Sequence, residues 1–340
     1  MTRTASALLL LCACGCSAAR PRPPTISWPA SPQRARVMYR GEIRGERDVA
    51  DPSVWQRLAA TFFGSHEPDV LQAPFAAAFD PAGRLLVTDR ARLAVLVLDR
   101  DRGEYRVLAP RGDHALLIPL GVAADAEGRI YVADAGRGAV EVLTPDGEPL
   151  ARIDAAGALQ RPTGIAIDRA RKLLYVVDTP AHVVRVLQLD GTPVRVLGRG
   201  HGSGPGEMNF PTFVAIDAAG RALVNDTMNF RIEIFEPDGS FARSFGQPGN
   251  GSGDLDRPKG VAVDASGRIY VADTMFDNFQ IFDSEGRLLL FVGEHGRGPG
   301  QFWMPAGLAV HGGEVAVVDT GNARVLLFEV VPDGLPGEAQ

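Results

Sequence analysis

The sequence predicts an all-β protein, a single six-bladed β-propeller built from repeated short sheets. Six copies of one pattern carry this prediction, each opening at a proline and containing an aspartate at the end of an alternating apolar stretch. The prolines are spaced 45, 43, 49, 47 and 47 residues apart, as propeller blades typically are. The prolines are Pro74, Pro119, Pro162, Pro211, Pro258 and Pro305, and the aspartates are Asp89, Asp134, Asp178, Asp226, Asp273 and Asp319.

Each copy is predicted to form four antiparallel strands, as the fifth copy illustrates. Residues 260–264 and 268–273 alternate in apolar character, and a Ser-Gly pair between them favours a tight turn. Residues 280–283 and 288–292 repeat this pattern around a second turn that contains Gly286. Alternation interrupted by glycine turns favours strands over helices.

The sixth copy lacks a fourth strand, because only a short tail, residues 331–340, follows its third strand. Residues 36–40, with an extension through Ile43, alternate suitably and supply a candidate strand near the N-terminus. Borrowing this strand would close the ring and remove its open sheet edges. The predicted propeller therefore covers residues 36–330.

The first residues indicate an export signal followed by a cysteine that carries lipid. A short basic start precedes an apolar run over residues 5–13, which is too short to span a bilayer. The tetrapeptide Leu-Cys-Ala-Cys ending at Cys14 resembles a bacterial lipobox, and Cys16 is the alternative lipidation site. We therefore expect a signal peptide over 1–13 and a proline-rich tether over 14–35. An ordinary secretory signal is the competing interpretation.

Three sequence features limit the location of the protein and the class of its partners. They are the cysteine content, the net charge and the residue after the lipobox. All cysteines lie at positions 12, 14 and 16, so the propeller has none for a disulfide or a metal. The net charge of −6 argues against nucleic acid as a partner. No aspartate follows Cys14 or Cys16. By analogy with bacterial sorting signals, this favours a lipid anchor in the outer membrane, facing the periplasm or the exterior.

Residues 51–64, between the closing strand and the first copy, are predicted to form a short amphipathic helix. Asp51 suits an N-cap, Pro52 suits the first turn, and Gly64 suits the C-terminus. We expect the helix to pack on the propeller; membrane contact is the alternative, weakened by a single basic residue, Arg57. Its apolar face would comprise Trp55, Leu58, Ala59, Phe62 and Phe63.

The copies resemble NHL repeats, and this resemblance covers all six of them. The segments Asp226-Thr-Met-Asn-Phe-Arg-Ile and Asp319-Thr-Gly-Asn-Ala-Arg-Val are close to that family's core signature, Asp-x-x-Asn-x-Arg-Val. The stretch from Pro258 to Gly307 is similar to a group of bacterial six-bladed propeller lipoproteins. The resemblance implies the fold and an envelope location, and it implies no particular activity.

The candidate ligand site is the mouth of the central channel, where the residue after each opening proline is expected. Lys259, one of only two lysines, is expected there. A lone cation beside apolar groups suits an acidic or amphipathic ligand, whereas a solvated rim lysine is the plainer interpretation. The candidates are Phe75, Leu120, Thr163, Thr212, Phe213, Asn225, Arg231, Lys259 and Ala306.

Three histidines are the candidates for a metal site. His114, His201 and His295 precede the second, fourth and sixth copies, so they alternate around the ring on one face and could hold zinc. They lie on glycine-rich loops, and we predict neither a metal nor a cofactor. The six strand-end aspartates would suit calcium, yet their presence in every copy predicts that they bind backbone amides.

The leading functional prediction is a non-catalytic scaffold that binds an envelope protein or a small ligand. The alternative is a metal-dependent hydrolase or lyase with its site at the channel mouth. Clustered Asp, Asn or His near the axis would favour the enzyme, whereas an apolar or charged patch on one rim would favour the scaffold. The sequence contains no nucleophile elbow and no His-Glu-x-x-His motif.

Overall fold

The computed structural model describes residues 24–30, 33–50 and 69–331. Within these ranges, six antiparallel sheets form a six-bladed β-propeller, as the repeats predict. The predicted signal peptide and lipidation site, the helix predicted at 51–64 and most of the C-terminal tail lie outside the described residues. No helix of the described ranges is long and apolar enough to cross a membrane.

The strands are numbered along the chain, and each blade is built from the axis outward. The N-terminal elements are β1 (Ser27–Trp28), β2 (Val37–Ile43) and the helix α1 (Glu46–Val49). Blade 1 consists of β3 (Pro74–Phe79), β4 (Leu85–Asp89), β5 (Ala94–Asp99) and β6 (Glu104–Leu108). Blade 2 consists of β7 (Pro119–Ala124), β8 (Ile130–Asp134), β9 (Ala139–Leu143) and β10 (Pro149–Ile153). Blade 3 consists of β11 (Pro162–Asp168), β12 (Leu173–Asp178), β13 (Val183–Gln188) and β14 (Pro193–Leu197).

The last three blades repeat this order. Blade 4 consists of β15 (Pro211–Ile216), β16 (Ala222–Asp226), β17 (Arg231–Phe235) and β18 (Phe241–Phe245). Blade 5 consists of β19 (Pro258–Val263), β20 (Ile269–Asp273), β21 (Asn278–Phe282) and β22 (Leu288–Val292). Blade 6 contributes β23 (Pro305–His311), β24 (Glu314–Asp319) and β25 (Arg324–Val330). Single 3₁₀ turns occupy Gly112–His114, Thr179–Ala181, Thr227–Asn229 and Thr320–Asn322.

The N-terminal strand closes the ring, as the sequence predicts. β2 pairs antiparallel with β25, and the register runs from Val37 opposite Val330 to Ile43 opposite Val325. β1 then adds a fifth strand at the outer edge of blade 6. β1 lies within the stretch 14–35 that was predicted as a tether, and its Trp28 ring packs on Phe328 at 5.7 Å between centroids.

A carboxylate closes the first hairpin of most blades. In blade 1, Asp80 Oδ1 accepts the amides of Ala82 and Arg84, each at 2.9 Å, and Arg84 Nε donates to Oδ2 at 2.6 Å. Asp125 with Arg129, Asp217 with Arg221 and Asp264 with Arg268 repeat this arrangement. These pairs surround the channel where the inner strands end, and we call this side the Asp–Arg face.

The strand-end aspartates bind backbone amides, as predicted. Asp134 accepts the amides of Leu117 and Ile118 at 2.7 and 2.9 Å, just before the opening proline of its own blade. The other five make equivalent bonds. Burial is the main influence that raises the pKa of Asp273 to about 6. These bonds fix the loops on the side where the inner strands begin, which we call the proline face.

Aromatic and aliphatic side chains fill the spaces between blades. Between blades 5 and 6, the rings of Phe279, Phe302 and Phe328 are all fully buried. The Phe328 ring lies 5.2 Å from Phe279 and 5.9 Å from Phe302, within the range of favourable aromatic contacts. This packing makes each blade depend on its neighbours.

Candidate functional site

Two aromatic rings meet across the channel toward its proline-face end. Phe75 lies on β3 of blade 1 and Phe213 lies on β15 of blade 4, so the two aromatic side chains come from opposite blades of the propeller. Their centroids are 5.6 Å apart. At the position of Phe213, the other inner strands carry Ala76, Gly121, Gly164, Gly260 and Gly307. Phe213, one of the residues predicted at the mouth, therefore brings a bulky ring to the axis.

Two cations lie over the Phe75 ring. The Arg90 guanidinium is 4.9 Å from the ring centroid and Lys259 Nζ is 5.9 Å from it. Both distances are within the range of cation–π attraction. Among the described residues, Arg90, Arg257 and Lys259 form no ion pair. The mouth of the channel therefore presents positive charge.

The Lys259 ammonium is held in an unfavourable environment. Burial lowers the pKa of Lys259 below its usual value, and the positive charges of Arg90 and Arg257 lower it further. An anion bound at the mouth would offset this repulsion and raise the pKa again. The site is therefore suited to a negatively charged group.

The threonines predicted at the mouth form hydroxyl contacts that join neighbouring blades. Thr163 Oγ1 lies 2.7 Å from Thr179 Oγ1 and donates to the Thr212 carbonyl at 3.0 Å. Thr212 Oγ1 in turn lies 2.7 Å from Thr227 Oγ1, which donates to the Pro258 carbonyl. These hydroxyl groups are engaged in holding blades 3, 4 and 5 together.

The remaining predicted mouth residues lie deeper or elsewhere. Leu120 and Ala306 are buried, and Asn225 donates its side-chain amide to the carbonyl of Lys259, which fixes the backbone there. Arg231 does not reach the mouth. Its guanidinium binds Asp226 at 2.8 Å and Glu233 at 2.9 Å, and it donates to carbonyls of the loop before blade 4. Burial raises the pKa of Glu233 to about 7, although the positive charge of Arg231 acts to lower it.

The three candidate histidines do not come together. His114 contacts Glu141 at 2.8 Å, His295 contacts Asp277 at 2.7 Å, and the His201 ring packs against His182. Within residues 24–30, 33–50 and 69–331, no group of three His, Cys, Asp or Glu side chains could hold a metal ion. At the mouth itself the donor set is two engaged threonine hydroxyls and a cation, which does not fit a metal.

Large apolar side chains surround the mouth on the proline face. They lie in the loops before the opening prolines of blades 2, 4 and 6 and in the loops between the second and third strands of blades 1, 4 and 5. Each is 38–51% exposed. We call this set the apolar rim, and its members are Leu93, Leu117, Ile118, Phe210, Met228, Met275, Trp303 and Met304. Monomeric proteins rarely expose a large contiguous apolar patch without a binding role.

Sequence reasoning missed Arg90 and the apolar rim. Arg90 follows a strand-end aspartate at a position where four other blades carry threonine, so the departure from the repeat was the available signal. The rim residues Ile118, Phe210 and Met304 each directly precede an opening proline. Only the closure of the ring brings these separated positions to one surface.

Comparison with protein-family models places this architecture in a known group. Residues 59–250 match the model described as SMP-30/gluconolactonase/LRE-like region. The chain belongs to the SMP-30/gluconolactonase/LRE-like family. Residues 255–282 and 302–328 of this family member also match the NHL repeat, as the resemblance implied. None of the curated proteins matches the chain.

Solved structures share the fold of this SMP-30/gluconolactonase/LRE-like propeller at low identity. A gluconolactonase from Xanthomonas campestris is 19% identical, with a TM-score of 0.57 over 88% of this chain and 98% of the other. Virginiamycin B lyase from Staphylococcus aureus is 12% identical, with a TM-score of 0.55 over 76% and 95%. Hydrazine synthase from Kuenenia stuttgartiensis is 14% identical, with a TM-score of 0.55 over 79% and 98%. At these identities the likeness concerns the fold alone.

Proposed function

We propose that this propeller is a non-catalytic scaffold of the bacterial cell envelope that docks a partner protein on its proline face. The observation that carries the proposal is the apolar rim around a mouth whose cations, Arg90, Arg257 and Lys259, form no ion pair among the described residues. Exposed apolar area supplies binding energy, and unpaired charge selects the partner.

The charge of the mouth defines the chemistry of the partner. An acidic side chain or a terminal carboxylate would pair with Lys259 above the Phe75 ring, while flanking apolar side chains would contact the rim. Met228, Met275 and Met304 suit such a surface, because methionine side chains adapt to irregular apolar partners. The proposed partner segment is therefore both acidic and apolar.

The carboxylates of the proline face support a binding role over acid–base chemistry. The strand-end aspartates, such as Asp134 and Asp273, accept backbone amides and are fully buried. A hydrolase or lyase at the mouth would need a metal donor set or a base within reach of the substrate. The side chains at the mouth are instead aromatic, cationic or engaged threonine hydroxyls.

Envelope attachment through Cys14 is part of the proposal. Lipid-analogue labelling of the full chain in its native cells is expected to mark the wild-type protein and the Cys16→Ser variant. Cys14→Ser is expected to lose the label and to leave the membrane fraction, because only the lipidated cysteine carries the anchor. Label retained in Cys14→Ser and lost in Cys16→Ser would move the anchor to the second cysteine, and no label in any form would refute lipidation.

A photo-crosslinking amino acid placed at rim position 210 is expected to capture a protein in the native envelope. The crosslinked peptide, identified by mass spectrometry, should contain acidic and apolar residues. Lys259→Glu should reduce the adduct severalfold, because reversing the charge at the mouth repels the acidic segment. Lys172→Glu, a change at the other lysine, should leave the adduct unchanged.

Phe291 provides the matched position for this experiment. It is 55% exposed but lies on the outer strand β22, away from the rim. The crosslinker at position 291 should capture no specific protein. Equal adducts at 210 and 291, adducts only to lipid or to a second copy of this chain, or an adduct insensitive to Lys259→Glu would contradict docking on the proline face.

A further inference from the structure

A second cavity opens at the other end of the channel, on the Asp–Arg face. Its volume is about 400 Å³, within the range typical of small-molecule sites, roughly 300–1,000 Å³. The ends of the inner strands form its walls, which are mostly small and aliphatic, with Ala78, Val122, Ile167 and Val263 among them. Such walls suit the apolar part of a ligand.

One arginine reaches across this cavity. Arg169, directly after β11 in blade 3, donates from Nε to the Ala124 carbonyl at 3.0 Å and from Nη2 to the Phe79 carbonyl at 2.9 Å. It therefore extends over blades 2 and 1. At the equivalent position the other blades carry Pro81, Ala126, Ala218, Ala265 and Gly312, none of which has a long polar side chain.

The positive charge of Arg169 has no carboxylate partner among the described residues. The nearby carboxylates already have arginine partners: Asp80 binds Arg84, Asp125 binds Arg129, Asp168 binds Arg171 and Asp217 binds Arg221. Arg169 forms no ion pair among the described residues, and its two hydrogen bonds go to neutral carbonyls. Burial lowers the pKa of Arg169, and the negative charges of Asp80 and Asp125 oppose this effect. A guanidinium stays protonated in proteins, so the surplus is a full positive charge.

We propose that this cavity binds a small carboxylate with an apolar chain, and that Arg169 receives the carboxylate. The two carbonyl bonds use Nε and one Nη2 proton, which leaves the Nη1 protons to donate to an anion. The aliphatic strand ends then cover the chain of the ligand. A dianion such as phosphate is disfavoured, because the surplus of one positive charge balances only one of its two negative charges. The ligand is therefore a monoanion.

Calorimetric titration of the full protein with decanoate tests the proposal. We expect one decanoate to bind per chain. Arg169→Met should weaken the affinity about tenfold or more, because a hydrogen bond to a charged group is lost. Decan-1-ol, which has the same chain without the charge, should bind the wild-type protein as weakly as decanoate binds the variant. Inorganic phosphate should not compete.

Two further variants locate the site and keep the test valid if Arg169→Met fails to fold. Ala218→Trp fills the cavity from an exposed position at its edge and should abolish decanoate binding while Arg169 is intact. Lys259→Met removes the cation of the opposite face and should leave the affinity unchanged. Decanoate affinity that is insensitive to Ala218→Trp, or that falls in Lys259→Met, would overturn the assignment. So would equal affinity for decan-1-ol.

Discussion

Replacing Arg324 with methionine is expected to lower the free energy of unfolding by about 3–5 kcal/mol, the cost of breaking a buried ion pair. Arg324 is fully buried. Its guanidinium binds Asp319 at 2.7 Å and Glu42 at 2.5 Å, and it donates to three carbonyls of the loop before blade 6. Methionine would leave the Asp319 carboxylate buried without its cation. Chemical denaturation at neutral pH measures the change.

Two comparisons separate this ion pair from a general packing effect. Arg287→Met removes an arginine that is three-quarters exposed, and it should change the unfolding midpoint very little despite the contact with Asp283. The double variant Arg324→Met with Asp319→Asn should recover part of the lost stability, because the unpaired buried charge is gone while the amide oxygen still accepts from Trp303. A loss in Arg324→Met no larger than that in Arg287→Met would contradict the argument.

Removing the closing strand is expected to prevent stable folding altogether. A chain that starts at residue 45 lacks β2, whose Val37, Tyr39 and Ile43 are each at most 4% exposed. Burying three such side chains contributes about 5–9 kcal/mol. That is comparable to the whole stability of an ordinary domain, about 5–15 kcal/mol. Circular dichroism on heating should show no cooperative transition.

The control for the shortened chain is one that starts at residue 24 and keeps β1 and β2, which should melt cooperatively. A synthetic peptide of residues 35–45, added to the shorter chain, should restore the transition in a concentration-dependent way by pairing with β25. A cooperative transition at the same temperature in both chains would mean that blade 6 does not depend on β2.

The fold could be predicted because the same strand and turn signals occur in each of the six copies. In each copy, the opening proline, the turn glycines and the strand-end aspartate mark where strands begin and end. A boundary that is ambiguous in one copy can therefore be assigned from the other five. The role of β2 followed from counting strands, since blade 6 needed one more partner. The pairing of β1 was beyond this reasoning, because two residues carry too little alternation to indicate a strand.

The candidate site was only partly predictable. The register of the repeat correctly brings Phe75 and Lys259 to the mouth, because both follow an opening proline. Arg231 was also predicted at the mouth, yet it donates to carbonyls of the loop before blade 4, and these contacts form only when that loop is folded. Arg90 and Arg169 stand where most of the other blades carry threonine and alanine, respectively, and what each arginine contacts is decided by the neighbouring blades.

The pairing of β2 with β25 joins two strands that lie near opposite ends of the described chain. During synthesis, β2 is made early and must wait for its partner in blade 6 until β25 has been completed. A chain that is truncated early or clipped near its end therefore cannot close its ring and keeps two unpaired sheet edges. Unpaired sheet edges favour aggregation and proteolysis, so we expect incomplete chains to be removed while chains with a closed ring persist.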